Sequence, residues 1–194
     1  MNARSEKRPV REYVFAYGSV AVGPAPSVTR RRSPGGFVAD LRGYARWWGV
    51  AMDNRRDLPG YKYYTEEAGR RPDVFVAFLD VAPTPAAATN GVCLPVDERR
   101  LEILDRRERN YVRVDVTDRI SGDGARVWTY VGSRDGRERL RRGLEAGTAV
   151  VHDAYLRDVA DAFAALGPDE YRACRRSLCP GALPVRSLTR HDLP

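Results

Sequence analysis

Apolar and polar positions change period several times along this chain. Glu12 to Tyr17 (EYVFAY) is a short run of aromatic and β-branched side chains halted by Gly18-Ser19, which predicts a strand ending in a tight turn. Ala21 to Gly36 is rich in proline and glycine and closes on Pro34-Gly35-Gly36, so it reads as a loop. Phe37 to Met52 has strand-type residues interrupted at Gly43 and Gly49, predicting one or two strands. Asp57-Leu58-Pro59-Gly60 marks a turn, followed by the aromatic stretch Tyr61-Lys62-Tyr63-Tyr64. Asp73 to Val81 is almost wholly apolar, as expected of a central strand buried on both faces. Pro83-Thr84-Pro85 is expected to break it, and Asn90 to Val96 predicts a further short strand.

Beyond Val96 the period lengthens. Asp97 to Arg107 places Leu101, Ile103 and Leu104 among charges, predicting a short surface-facing helix. Tyr111 to Val116 alternates strictly, with its valines on one side, and Arg126 to Val131 is its expected antiparallel partner across the turn at 121–124. Asp153 caps a predicted helix whose stripe is Tyr155, Leu156, Val159, Ala160 and Phe163. Gly167-Pro168 ends it and opens another helix running to about Ser177. The expected architecture is a single α+β domain: a mixed, mainly antiparallel β-sheet or small barrel with C-terminal helices. Residues 1–11 are assigned to a flexible segment, 12–180 to the domain and 181–194 to a tail.

Composition narrows this modestly. With 194 residues and 43% hydrophobic content, a real core is affordable without a second domain. The longest apolar run, Val74 to Leu79, is far short of the ~20 residues a spanning helix needs. No apolar stretch follows the basic N-terminus, so export is not expected and a cytoplasmic location is. Cys93, Cys174 and Cys179 suggest no disulfide framework. The net charge is +7, yet only Lys7 and Lys62 among the 33 basic residues are lysines. Arginines scattered among 26 acids reflect compositional bias more than a nucleic-acid footprint, so neither a specific nucleic-acid partner nor a membrane is expected. The Arg30–Arg32 run falls in the Pro/Gly-rich loop and has no assigned role. Oligomeric state is not encoded in any pattern seen.

The chemistry is sparse. His152 and His191 are the only histidines and lack ligand-spaced partners, so no metal site is expected. No serine lies in a nucleophile elbow, and no glycine-rich nucleotide loop is present. Cys93, between Val92 and Leu94, reads as core. Two features remain. Tyr17-Gly18-Ser19 at a strand end can expose backbone N–H groups to an anion. Glu108 stands between the predicted helix and the alternating strand, flanked by Arg106, Arg107 and Arg109. Alone, each feature also fits an ordinary turn or a solvated carboxylate.

Taken in order, FAYGS, NGVCLPVD and LDRRERNYVRVDV resemble the gamma-glutamyl cyclotransferase-like superfamily, and the stretch from Ala154 to Tyr171 is similar to its closing helices. The resemblance spans roughly Val14 to Arg176. It implies that Tyr17, Gly18 and Ser19 form a substrate-binding loop and that Glu108 is the catalytic acid/base. It further implies that Tyr111 and Arg113 support the site, Tyr111 beside the substrate. The implied partner is a small γ-glutamyl substrate, converted to 5-oxoproline plus free amine without a cofactor. Such ring closure is intramolecular and needs only one proton shuttle. Val20 departs from the Tyr-Gly-Ser-Asn of many glutathione-pathway members, leaving the substrate open. Two alternatives stay in view: removal of a γ-glutamyl protecting group, with Trp47, Trp48, Tyr61, Tyr63 and Tyr64 walling a larger leaving group, and a binding module that has lost catalysis. The three arginines around Glu108 bear on the second, since nearby cations weaken a carboxylate as a base.

Overall fold

The computed structural model describes residues 12–21, 35–121, 125–178 and 180–194. The Arg30–Arg32 run, Cys179 and most of the expected loop and N-terminal segment lie outside them. The frame is set by two long strands, β2 (Phe37–Asp53) and β4 (Phe75–Val96), paired antiparallel along their length. Their register slips at Gly43 and Gly49, as the interruptions in the sequence suggested. Gly43 has φ of +77°, a conformation that favours glycine.

Pro83 and Pro85 do not end the strand, contrary to expectation. β4 is continuous in assignment, but Tyr44 pairs with Pro83 while Arg42 pairs with Ala88, so residues 84–87 bulge into solvent. Pro85 lies in the bulge, which asks for no ladder donor, and Pro83 stands at its edge opposite Tyr44. On its other edge, β4 pairs at one end with β1 (Glu12–Ala16) and at the other with β7 (Ala149–His152). Here β3 denotes Lys62–Thr65, β5 Tyr111–Asp115, β6 Arg126–Gly132, β8 Val185–Arg186 and β9 Thr189–Asp192. The main sheet runs β5-β6-β1-β4-β7-β8, with β2 also on β4, and it is mixed because β1–β6, β4–β7 and β7–β8 are parallel.

Four helices are seen among the described residues. α1 (Glu98–Arg107) is capped by Asp97, whose side chain accepts from Arg100 N at 2.7 Å. It buries Leu101 and Leu104 against Val14 and Tyr130, so only Ile103 faces solvent as expected. α2 (Arg134–Glu145) was not expected, and neither was β7. Among so many charges, α2 seats only Leu140 and two glycines, and a Cβ at Gly143 would press on Phe75. α3 (Asp153–Leu166) and α4 (Pro168–Leu178) pack with Val159, Phe163 and Cys174 in the core, as the stripe predicted.

The segment 181–194, set apart as a tail, is structured. It supplies β8, which extends the main sheet, and β9, which pairs antiparallel with β3 as a second sheet. Among the described residues no helix is long and apolar enough to cross a membrane.

Candidate active site

Glu108 closes α1: its N–H donates to Leu104 O at 2.8 Å, and its carbonyl accepts from Tyr111 N at 2.9 Å. One turn therefore fixes both the carboxylate and Tyr111, where β5 begins. Asn110, in that turn, is buried and tied on two sides. Its Nδ2 donates to Tyr61 Oη at 3.1 Å, and its Oδ1 accepts from Arg139 at 2.8 Å. A carboxylate at a helix C-terminus meets the negative end of the helix dipole, which disfavours its charge.

The sequence placed three arginines beside Glu108, and the structure separates them. Arg109 turns away to donate to Pro59 O at 2.8 Å. Arg107 stays, with Nε 3.4 Å from Glu108 Oε1. The Glu108 side chain is only 11% exposed. Burial pushes its pKa above the ordinary glutamate value, and the opposing pulls of Arg107 and Lys62 do not cancel that rise. Asp105 accepts from Tyr130 Oη at 2.7 Å and faces Arg113 at 3.4 Å.

β1 delivers Tyr17-Gly18-Ser19 to the same place. Tyr17 is buried and donates its hydroxyl to Tyr130 O at 2.6 Å. Tyr111 donates to Leu79 O at 2.7 Å. Both phenols are held neutral by burial, with Glu108 adding to the upward push. Sequence reasoning assigned Tyr155 only to an apolar helix stripe, but its hydroxyl reaches this loop. The Tyr155 oxygen accepts from Ser19 N–H and lies 3.4 Å from Leu79 N. The Ser19 amide is thus already directed at a phenol oxygen instead of standing open. Val20 packs against the Leu101–Leu104 cluster, which gives its apolar character a structural reason.

An inner chamber holds Tyr17, Gly18, Ser19, Glu108, Tyr111 and Tyr155 on its walls. Ser19, Glu108 and Tyr111 also border an outer cavity of about 190 Å³ formed with Tyr61, Lys62 and Arg190. A broader depression of about 440 Å³ beside Arg56 and Arg139 reaches Glu108 and Tyr111 but does not touch the 17–19 loop. Of the five aromatics considered for the leaving-group wall, Tyr61 alone borders the outer cavity. Trp48 and Tyr64 are core, and Tyr63 stacks on His191. Among the described residues no group of three or more His, Cys, Asp or Glu could hold a metal ion.

Tyr17, Gly18, Ser19, Glu108 and Tyr111 meet here, whereas Arg113 lies over Trp128 and beside Asp105, away from the chambers. No family model and no curated protein matches the sequence. Solved structures do match. YkqA from Bacillus subtilis superposes with TM-score 0.54 at 15% identity, covering 94% of this chain but 58% of that longer chain. A gamma-glutamyl cyclotransferase superposes with TM-score 0.54 at 17% identity over 95% of this chain and 94% of its own. The fold is gamma-glutamyl cyclotransferase-like. An uncharacterized protein from Homo sapiens gives the same TM-score at 16% identity, covering 95% of this chain. At such identities the likeness to the cyclotransferase-like structures carries the fold, and the chemistry rests on the residues in the two chambers.

Proposed function

We propose that this protein is a gamma-glutamyl cyclotransferase, which releases the amine of a γ-glutamyl amide while the glutamyl α-amine closes onto the γ-carbonyl to give 5-oxoproline. The observation that carries this reading is Glu108, a largely buried carboxylate at the junction of two cavities and beside the Tyr17–Ser19 loop. The α-amine nitrogen attacks the γ-carbonyl carbon, and the Glu108 carboxylate takes its proton. As the tetrahedral intermediate collapses, the same proton returns to the departing nitrogen and the original amide bond breaks. A well-placed shuttle of this kind contributes ~10²–10⁴ in rate, and its poor solvation moves the carboxyl toward the pKa a general base needs. Tyr155, kept protonated by burial, is positioned by backbone N–H groups to offer its own proton to the developing oxyanion.

The direct test is 5-oxoproline release, read by mass spectrometry, from a panel of γ-glutamyl amino acids, glutathione and γ-glutamyl amines. Release from at least one member is expected, and silence across the panel opposes the reading. The pH profile is a second check. Glu108 must be ionised to accept a proton, and its pKa is raised. Turnover should therefore fall as pH drops through a value clearly above the ordinary glutamate pKa. An acid limb at or below the ordinary value would oppose the role.

The Arg107–Glu108 pair favours one other reading, a ligand-binding module in which the carboxylate is tied up. Saturable binding of a γ-glutamyl compound without any 5-oxoproline would select it.

A further inference from the structure

The depression of about 440 Å³ does not touch the Tyr17–Ser19 loop, and the proposed reaction makes no use of it. Three arginines line it: Arg56 from the turn after β2, Arg109 from the turn after α1 and Arg139 from α2. Its three carboxylates, Asp53, Asp105 and Glu108, make the lining formally neutral, but each is already matched by an arginine outside the lining. Arg55 grips Asp53 through bonds of 2.8 and 2.9 Å. Arg113 faces Asp105 and Arg107 faces Glu108, both at 3.4 Å.

The lining arginines have no such match. Among the described residues, none of the three enters an ion pair. Arg109 donates to Pro59 O at 2.8 Å. Arg139 donates through Nε to Ala51 O and through Nη2 to Asn110 Oδ1, both at 2.8 Å, and its Nη1 has no partner among the described residues. These acceptors are neutral, so they fix the side chains without cancelling charge. Burial lowers the Arg139 pKa; Tyr61 and the exposed Asp135 oppose this, and Arg56 is close enough to add to it. Asp135 forms no ion pair with Arg139, so the charge stays uncompensated. Cations gathered around one depression repel one another until an anion sits among them.

Guanidinium forks match the oxygens of phosphate and carboxylate groups. A single carboxylate answers one fork, whereas a diphosphate carries several charges on closely spaced oxygens. Leu58, at 36% exposure, and Tyr61 add an apolar wall beside the arginines for an organic group. We propose that this depression binds a diphosphate-bearing small molecule, gripped by Arg56, Arg109 and Arg139. The site does not depend on the proposed reaction, although Asn110 ties it to the Glu108 turn through the bond to Arg139.

Calorimetric titration of the full chain with pyrophosphate at low salt tests this. Saturable binding of one pyrophosphate per chain is expected. Arg56→Met and Arg109→Met, both at exposed positions, should each weaken it about tenfold, the size of a charge-assisted contact. Arg139→Met should weaken it at least as much. Arg134→Met, at an exposed α2 position outside the depression, should leave the affinity unchanged. Adenosine diphosphate binding more tightly than pyrophosphate would support a nucleotide-like ester as the ligand, and equal or weaker binding would support inorganic diphosphate. Binding of neither compound overturns the proposal. So does an equal loss in every variant, Arg134→Met included, which would mark diffuse attraction to a chain of net charge +7. Citrate bound as tightly as pyrophosphate would overturn the choice of phosphate over carboxylate.

Discussion

Glu108→Gln is expected to lower 5-oxoproline release at least ~10²-fold, because the amide can neither take nor return the proton. The same change should raise the thermal midpoint at neutral pH. Burial lifts the Glu108 pKa above the unfolded value, so the folded chain holds that proton more tightly than the unfolded chain does. The resulting stability is fully present below the unfolded pKa and is lost as pH rises through the folded value. At pH 7 the ionised carboxylate is therefore a net cost, which Gln removes. Arg107 loses a partner, but its side chain is 49% exposed and water can serve it. Thermal melts of both proteins at pH 4.5 and pH 7.5 check this, with a stability advantage of the variant that widens toward pH 7.5. A variant that is inactive and less stable at neutral pH would show instead that the Arg107 ion pair is what Glu108 is for.

Much of this site was legible in the chain because its parts lie at the ends of strongly patterned elements. The EYVFAY run has to stop at Gly18, and the alternating Tyr111–Val116 has to be preceded by a turn, so the loop and Glu108 stand at recognisable boundaries. What escaped reading depends on distant pairing. Lys62 reaches the outer cavity because β3 pairs with β9, placing Lys62 opposite Asp192 and Tyr64 opposite Arg190. A four-residue strand made by residues more than a hundred positions apart leaves no local period. Tyr155 was visible as a core residue and not as a site residue, since an apolar stripe does not say where a phenol oxygen will point. The helix α2 was missed for a different reason. Its buried face is Gly136, Leu140 and Gly143, small enough that backbone approaches Asn110 and Phe75, so burial occurs with little apolar signal. The Pro83–Pro85 expectation failed because proline forbids ladder hydrogen bonding, and the chain satisfies that by bulging without turning away.

Asp80→Ala is expected to be the most destabilising single change near the site, by ~3–5 kcal/mol in urea unfolding. Asp80 lies on β4 and is fully buried at 0% exposure. Its Oδ1 accepts from Val81 N at 2.7 Å and from Gly132 N at 2.6 Å, and its Oδ2 accepts from Arg137 Nε at 3.0 Å. One carboxylate thus joins β4, β6 and α2. A Cβ at residue 132 would collide with it, so glycine there makes room for the contact. Truncation strips two amides of their acceptor in a place water does not enter, and it removes an ion pair of 2.9 Å. Arg137 is 39% exposed as a side chain, but its Nη2 facing Asp80 is buried, so the cost is shared between the stranded amides and the guanidinium. The consequence reaches catalysis through the adjacent residue. Leu79 O accepts from Tyr111, and Leu79 N faces Tyr155, so loosening β4 at Asp80 releases the walls that hold Glu108 in place. Asp80→Asn can keep both amides on its Oδ1 but sets its NH₂ against the Arg137 guanidinium, and it should cost less stability while still lowering turnover. A double-mutant cycle with Arg137→Met should show coupling of about 1 kcal/mol or more. A loss below about 1 kcal/mol for Asp80→Ala would mean that water reaches the amides after all, and the three-element junction would carry no special weight.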